Sequence, residues 1–259
     1  MRKQRSRGLA GCLAWILCIG ALVFFLLAAK EYYPFLINDI RMNSLQKEVV
    51  QEEALEKIPD KKVPKWACRK IDWKKLHKIN LDIIAWIHVP GTKIDYPVLH
   101  CHKWNEYLHK DYEGKESEPG SIFIQPETSE DFSDFHSIIY GHNMRSKAMF
   151  GSLHRFEDES FWKKHRKINI YQPGKAIRSI IYSAYDCPDG SDTYKTEFQS
   201  DEEKMEWINQ TISGSYFDAG VSPMTEDRFI TLSTCSNSGP RSSRYVVHSI
   251  VKEVINLDE

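Results

Sequence analysis

The sequence carries almost no net charge. Its 35 Lys and Arg residues are balanced by 36 Asp and Glu residues, which gives a formal net charge of -1 at pH 7. Proteins that bind nucleic acid usually show a basic excess, so we expect no nucleic-acid partner. The hydrophobic fraction of 41% and the charged fraction of 27% are ordinary for a globular protein, and the chain is long enough to form one large domain or two small ones.

Several patterns that mark common sites are missing. Asp and Glu are scattered rather than paired, which gives no support for a hydrolase with two catalytic carboxylates. We find no glycine-rich phosphate loop, no internal repeat and no low-complexity segment. His100-Cys101-His102, with His109 close behind, contains residue types that bind metals. We favour surface histidines at a strand end, and we expect neither a metal nor a cofactor.

Cysteine is scarce. Of six cysteines, two fall in an apolar N-terminal run, and the other four are Cys68, Cys101, Cys187 and Cys235. Four cysteines are too few for a disulfide scaffold in a body of this size. Spacing leaves a bridge among the first three of them open, whereas Cys235 is expected to be free.

The N-terminus has the pattern of a membrane anchor. No charged residue occurs between Gly8 and Ala29, and the basic segment 1–7 precedes this run. As a helix, about 22 residues would span roughly 33 Å, enough for the bilayer core. Basic residues before the span keep the N-terminus cytoplasmic, which predicts a single-pass protein with an extracellular body. The alternative is a cleaved signal peptide, whose apolar region usually runs about 7–15 residues.

The body is expected to begin after a spacer. Residues 30–65 are interpreted as a juxtamembrane stalk, within which 38–58 is polar and favours a helix. Packing of this helix on the body is the alternative. Pro59 and Pro64 mark its end, so we expect the folded domain to span residues 66–259.

Strand-like runs recur through this domain. Runs rich in β-branched and aromatic residues predict eight short strands, at 85–89, 96–99, 121–124, 137–140, 167–171, 177–185, 228–235 and 244–251. This number is typical of a closed or nearly closed antiparallel barrel. Helices are predicted at 72–79 and after the capping-box pattern Ser200–Glu203, with Met205, Ile208 and Ile212 on one face.

Chemically useful residues fall at three predicted strand ends. Cys235 closes one strand and Arg244 opens the next, across a loop rich in Ser, Asn, Gly and Pro. If these strands are neighbours, the cation lies where it would stabilise a thiolate or an oxyanion. His142 follows a third strand across Gly141, a residue that lets the backbone leave the sheet abruptly, and histidine is the usual proton partner of a cysteine nucleophile. The alternatives are a core cysteine, a solvated arginine and a surface histidine.

Several ordered motifs resemble the class B sortases of Gram-positive bacteria. They are Tyr140-Gly141-His142-Asn143-Met144, Met149–Leu153, Thr231–Cys235, Arg244–Val247, Asn80–Ile87 and Ile94–Val98. The resemblance implies a mainly β fold, an eight-stranded sortase-type barrel with N-terminal and inserted α-helices, after one transmembrane helix. It implies a membrane-tethered cysteine transpeptidase that faces the cell wall.

The resemblance also implies roles for individual residues. Cys235 would attack the threonine carbonyl in the C-terminal sorting signal of a secreted protein and form a thioacyl enzyme. His142 would protonate the departing amine and then deprotonate the incoming one, from a peptidoglycan precursor cross-bridge or a pilin lysine. Arg244 would bind the oxyanion or position the carbonyl, with Arg241 as its nearest rival.

Substrate contacts carry over less closely. Ser233 and Tyr140 match positions that line the peptide groove in the family, and Asn105, Leu108 and Tyr194 match more loosely. The loop after Cys235 begins Ser236-Asn237-Ser238, where some relatives would have an acidic residue. Two other functions stay open: a membrane-tethered cysteine peptidase that releases its product to water, and a non-catalytic surface protein with an inert Cys235.

Overall fold

The N-terminal part of the chain is one long helix. The computed structural model describes residues 5–51, 63–238, 240 and 242–257, with the backbone alone for 5–13. Helix α1 spans Arg5–Val49 and includes the whole predicted anchor, Gly8–Ala29. Among the described residues, one helix, within Ala14–Val49, is long and apolar enough to cross a membrane, and its apolar window is not buried inside the protein. Length and composition therefore support the predicted span.

The chain divides into two compact units, Met1–Arg41 and Met42–Glu259. In the second unit, Met42, Leu45 and Val49 at the end of α1 are buried. The two-residue strand β1 (Val50–Gln51) then pairs with β2 (Lys70–Ile71). Residues 42–51 of the predicted stalk thus pack in the same unit as the predicted domain, the alternative left open above. The end of the stalk, with Pro59, lies outside the described residues.

The second unit is built around a closed barrel of eight strands. They are β3 (Ile83–His88), β4 (Asp95–His100), β5 (Ile122–Ile124), β6 (His136–Tyr140), β7 (Lys167–Gln172), β8 (Lys175–Pro188), β9 (Phe229–Cys235) and β10 (Ser243–Asn256). Their order around the barrel is β10-β8-β7-β3-β4-β5-β6-β9. The predicted eight-stranded fold is confirmed.

The expectation of a purely antiparallel barrel is wrong at two places. Strand β4 runs parallel to β5, and β6 runs parallel to β9. A parallel pair needs a long crossover connection instead of a tight turn, and the chain between β6 and β9 supplies one that includes β7, β8 and two α-helices. Strands β8 and β10 are also longer than predicted, at 14 residues each, because they pair along almost their whole length.

Short helices cover the barrel. They are α2 (Trp73–Ile79), α3 (Glu159–His165) and α4 (Asp201–Ser213), with 3-10 turns at Lys65–Cys68, Leu153–Glu157 and Asp192–Tyr194. The Ser200 hydroxyl accepts a hydrogen bond from the Glu203 amide at 3.3 Å, as the capping pattern predicts. The Glu203 carboxylate, however, accepts from the Gln199 amide at 2.6 Å rather than from that of Ser200.

The buried face of α4 differs from the predicted one. Met205 and Ile212 are 37% and 40% exposed, and only Ile208 of the predicted trio is buried. The buried side chains are Trp207, Ile208 and Thr211. The Trp207 ring packs edge-on against Phe229 of β9 at 5.2 Å. The predicted face is wrong because burial of the large Trp207 ring, rather than the regular spacing of Met205, Ile208 and Ile212, determines which face of α4 is buried.

A chain of buried hydrogen bonds joins the barrel to the turn that precedes α4. Nδ1–H of His136 donates to the Lys195 carbonyl at 2.7 Å, so Nε2 accepts from the Thr231 hydroxyl, also at 2.7 Å. The Thr231 oxygen then accepts from Nδ1–H of His248 at 2.7 Å. Nε2 of His248 accepts from the Tyr185 hydroxyl at 3.1 Å.

These directions are those of two neutral imidazoles. The Lys195 carbonyl can only accept, so neutral His136 donates from Nδ1 and accepts at Nε2; the Thr231 proton is then used, and neutral His248 donates from Nδ1 and accepts at Nε2. Burial lowers the pKa of His136 to about 4 and lowers the pKa of His248 well below its usual range. The Tyr185 oxygen accepts from the Thr193 hydroxyl at 3.0 Å, so the chain ends on the Asp192–Tyr194 turn.

We predict that the folded protein loses stability between pH 6.5 and pH 5. The pKa of His136 falls from 6.5 to about 4 on folding, so below pH 6.5 the unfolded chain binds protons that the folded chain does not. Stability is therefore full above pH 6.5 and declines as pH falls. His136 alone contributes about 2 kcal/mol of loss between pH 7 and pH 5.

Thermal unfolding of the full chain in detergent micelles, followed by near-UV circular dichroism, measures this effect. We expect the Tm to fall by about 4–8 °C between pH 7.5 and pH 5. The variant His136→Asn places an amide donor near the position of Nδ1 and should show a smaller slope. A Tm that stays constant over this range in the parent protein would contradict the assignment of neutral histidines.

Candidate active site

The parallel pairing of β6 and β9 brings His142 and Cys235 to the same edge of the barrel. Tyr140 and Ser233 are direct partners in this pair. Parallel strands end at the same edge, and residues two apart point to the same side. His142 and Cys235 each follow this pair by two residues. The Gly141 amide extends the ladder by donating to the Ser233 carbonyl at 3.1 Å.

The antiparallel pairing of β9 and β10 adds Arg244. Its backbone pairs directly with that of Cys235, so the condition stated above is met and the thiol-bearing and guanidinium-bearing strand ends are neighbours. The Cys235 side chain is exposed. Arg241 lies outside the described residues, and its position relative to Cys235 therefore stays untested.

A cleft of about 360 Å³ opens at this edge. All eight residues predicted for the site line it: Cys235, His142, Arg244, Ser233, Tyr140, Asn105, Leu108 and Tyr194. Further lining residues that sequence reasoning missed include Trp104, Gln125, Glu127 and Asp189. The structure thus brings the predicted residues together, while their chemical roles stay predictions.

The His142 ring is held by one hydrogen bond. Its Nε2 lies 2.7 Å from the Leu108 carbonyl oxygen, and a carbonyl only accepts, so Nε2 carries a proton and donates it. The other nitrogen, Nδ1, is therefore the one that can exchange a proton. Burial lowers the pKa of His142, and the neighbouring imidazole of His109, with ring centroids 5.7 Å apart, lowers it further. His142 is accordingly neutral at pH 7.

Gly141 is required by close packing. A Cβ at this position would lie 2.4 Å from Cδ1 of Ile122 and 2.8 Å from the ring of Phe150. The φ of Gly141 is not positive. Glycine is therefore needed here for close packing, and not, as the sequence suggested, to let the backbone leave the sheet abruptly. The chain after Gly141 turns back on itself, since the Phe150 amide donates to the His142 carbonyl at 3.0 Å.

Two tyrosines and a serine form one wall of the cleft. The hydroxyl groups of Tyr194 and Ser233 are hydrogen-bonded at 2.8 Å. The rings of Tyr140 and Tyr194 are nearly parallel, with centroids 6.4 Å apart. Burial raises the pKa of both phenols, so both stay protonated and can donate. This wall has an apolar surface with hydrogen-bonding groups at its end, which suits a peptide.

Asn105 is fixed by an amide pair. The Asn105 backbone amide donates to Oε1 of Gln125 at 3.0 Å, and Nε2 of Gln125 donates to Oδ1 of Asn105 at 2.7 Å. Asn105 has a φ of 57°, a conformation that asparagine tolerates better than most residues. The 104–108 segment, which also supplies the carbonyl that holds His142, is therefore positioned by a side chain just beyond β5.

Arg244 forms an ion pair that the sequence did not reveal. Its Nη2 lies 2.7 Å from Oδ2 of Asp189, and the two side chains are 26% and 55% exposed. Strand register explains the contact, because Arg244 pairs with Cys187 of β8 and Asp189 follows two residues later. The acidic residue beside the arginine thus comes from another strand end, whereas the loop after Cys235 has Ser236-Asn237-Ser238.

No bridge joins the body cysteines. Cys68, Cys101, Cys187 and Cys235 are all free thiols, so the disulfide that spacing left open does not form in this structure. Within the described residues, no group of three or more His, Cys, Asp and Glu side chains is placed to hold a metal ion.

Comparison with known proteins decides the family. The sequence profile described as the Sortase domain matches residues 87–251, about two thirds of the chain. The chain belongs to the sortase family. It is a cysteine transpeptidase by family membership, and the match covers the cleft and the barrel from Ile87 of β3 to Val251 of β10.

Relatives assign this sortase to class B. Sortase B of Staphylococcus aureus is 29% identical over 185 residues, covering 71% of this chain and 75% of the relative. Sortase B of Listeria monocytogenes is 31% identical over 163 residues, covering 62% and 66%. The structure of a Staphylococcus aureus sortase B-substrate complex has a TM-score of 0.65 at 29% identity, covering 71% of this chain and 85% of that one.

We predict that Asp189→Asn weakens function without unfolding this sortase. The Asp189–Arg244 pair is partly exposed, so its loss should cost less than about 1 kcal/mol of stability. The guanidinium would lose its anchor and adopt more conformations, which should slow peptide cleavage by about 3–10-fold. Asp192→Asn, three residues further along the same loop, is the matched control. Cleavage that is unchanged or faster in Asp189→Asn would show that the pair does not position Arg244.

Proposed function

We propose that this sortase cleaves a C-terminal sorting signal after threonine at Cys235 and transfers the threonyl group to an amine. The observation that carries the proposal is the convergence of Cys235, His142 and Arg244 at one edge of the barrel, on a cleft of about 360 Å³. Each comes from a different element, and β-ladder register aligns them. The exposure of Cys235 lets a substrate carbonyl approach its sulfur.

The first half-reaction forms a thioester. The Cys235 sulfur bonds to the threonine carbonyl carbon while the thiol proton passes to Nδ1 of His142. Nδ1 is the acceptor because His142 is neutral and its Nε2–H donates to the Leu108 carbonyl. The peptide C–N bond then breaks, and Nδ1–H of His142 protonates the departing nitrogen. The amine product leaves, and the threonyl group stays on Cys235 as a thioester.

The second half-reaction reverses these proton transfers. An incoming amine attacks the thioester carbonyl and gives a proton to Nδ1 of His142, which returns it to the departing sulfur. In both halves a negative charge develops on the carbonyl oxygen. The Arg244 guanidinium, held by Asp189 at 2.7 Å, lies at the same edge and offers several donors to that oxyanion.

The groove proposal rests on the cleft lining. Tyr140, Tyr194 and Ser233 form a wall with phenol and serine hydroxyls near Cys235, and Asn105 lies on the segment that holds His142. We infer that these residues bind the sorting signal of a secreted protein. The existence of a structural neighbour described as a sortase B-substrate complex supports a substrate groove in this fold.

The cellular setting is proposed from the N-terminus. Segment 8–29 would anchor the enzyme in the cell membrane, with residues 1–7 in the cytoplasm and the catalytic domain outside, where a peptidoglycan precursor or a pilin lysine would supply the amine. The support is the apolar helix within Ala14–Val49 and the basic residues that precede it.

The test is a transfer assay with the full chain in detergent micelles. Peptides with candidate sorting motifs are incubated with and without a glycine-based amine or a lysine peptide, and products are quantified by mass spectrometry. We expect cleavage after threonine and an amide product that exceeds the hydrolysis product. Cys235→Ala should lose about a thousandfold or more, and His142→Ala about 100- to 10,000-fold.

Arg244 gives the sharper variant pair. Arg244→Ala should lose about 100- to 1,000-fold, and Arg244→Lys should stay at least about tenfold below the parent because an ammonium lacks the planar fork of donors. Full transfer activity in Arg244→Ala or His142→Ala would contradict the roles assigned here. Cleavage that yields only acid product at saturating amine would favour the hydrolytic peptidase instead.

A further inference from the structure

A second histidine contacts the main chain of Cys235 from behind the cleft. His154 lies in the Leu153–Glu157 turn and is buried, with its side chain 5% exposed. Its Nε2 lies 3.1 Å from the Cys235 carbonyl oxygen. Neither the sequence motifs nor the cleft lining point to His154, because it reaches the strand end through the backbone.

The same carbonyl is bound by Asn143. Nδ2 of Asn143 donates to the Cys235 carbonyl oxygen at 2.9 Å and to Oδ1 of Asn237 at 2.8 Å. These two bonds use both hydrogens of the amide. Nε2 of His154 also lies 3.2 Å from Nδ2, but no amide hydrogen is left for it.

The other ring nitrogen of His154 faces a carboxylate. Nδ1 lies 2.7 Å from Oε1 of Glu157, and an ionised carboxylate can only accept. Nδ1 therefore donates to Glu157. Nε2 faces a carbonyl oxygen, which also only accepts, so Nε2 satisfies its contact only by donating as well. An imidazole that donates from both nitrogens is protonated and carries a positive charge.

The surroundings of His154 are compatible with this charge. Glu157, on its own turn, is the counter-ion. From β10, the ring of Tyr245 stacks on the imidazole at 4.5 Å, and Tyr216 stacks on Tyr245 at 6.4 Å. The Tyr216 hydroxyl donates to Asp186 at 2.7 Å. Aromatic faces and a carboxylate favour a cation and oppose the cost of burying it, and the low solvent access limits screening by salt.

We propose that His154, as an imidazolium held by Glu157, is a positioning residue that fixes the Cys235 main chain and stabilises the Cys235 thiolate through its charge. This role deepens the proposed function, because it rests on Cys235 as the nucleophile. A cysteine sulfur lies within about 4.5 Å of its own carbonyl oxygen, so the imidazolium lies within about 8 Å of Sγ. At that distance a buried charge changes thiolate population by about 3–10-fold.

Alkylation of Cys235 tests the proposal without any substrate. The full chain in detergent micelles is treated with iodoacetamide between pH 5 and pH 10, and labelling of the Cys235 peptide is timed by mass spectrometry. The thiolate is the reacting form. We expect His154→Gln, which keeps a donor but not the charge, to move the half-maximal pH upward by about 0.5–1 unit. Below that pH, labelling should be about 3–10-fold slower.

Two further variants make the outcome specific. His154→Asn also lacks the charge and should shift the profile in the same direction. His102→Gln removes a different imidazole–carboxylate pair, formed with Asp82 at 2.9 Å, and should leave the profile unchanged. Near-UV circular dichroism checks that each variant is folded, and His154→Asn carries the test if His154→Gln is not folded.

The results separate this proposal from the proposed function. If the parent Cys235 labels readily but the profile is unchanged or moves downward in the folded His154→Gln or His154→Asn variant, the role of His154 is overturned while Cys235 stays the nucleophile. If Cys235 in the parent resists alkylation throughout, the nucleophile itself is refuted and the role of His154 falls with it.

Discussion

The parallel register between β6 and β9 is the constraint on which the site depends. With Tyr140 opposite Ser233, the two strands end together, and the residues two positions later, His142 and Cys235, share one barrel edge. If either strand slipped by one residue, the side chains of that strand would point to the opposite face of the sheet. The antiparallel partner β10 then adds Arg244 opposite Cys235, and β8 adds Asp189 beyond the next ladder position.

Around this edge, most support comes from side chains that contact main-chain atoms. The Leu108 carbonyl sets the His142 tautomer, and Asn143 binds the Cys235 carbonyl. The buried chain through His136 and His248 holds the 193–195 segment, which includes Tyr194. Backbone contacts of this kind place reactive groups on rigid strands and leave the side chains that face the cleft available for substrate.

Local sequence patterns were sufficient for the strands and for the end positions of Cys235, His142 and Arg244, because alternation and turn residues are local properties. They were insufficient for strand direction: the parallel β6–β9 pair depends on a crossover that no local pattern records. The face of α4 was mispredicted because Trp207 packs against Phe229, a tertiary contact. Asp189 and His154 were missed for the same reason, since each reaches the site from a distant segment.

The central claim is that Cys235 forms a covalent intermediate with the substrate, and trapping that species is its most direct test. The full chain is mixed with a cleavable sorting peptide without amine, quenched in acid within seconds, and examined by intact and peptide mass spectrometry. We expect a mass increase equal to the acyl group of the fragment that ends in threonine, located on Cys235 and removed by hydroxylamine. Cleavage that proceeds at full rate in Cys235→Ala, or an adduct on another residue, would contradict it.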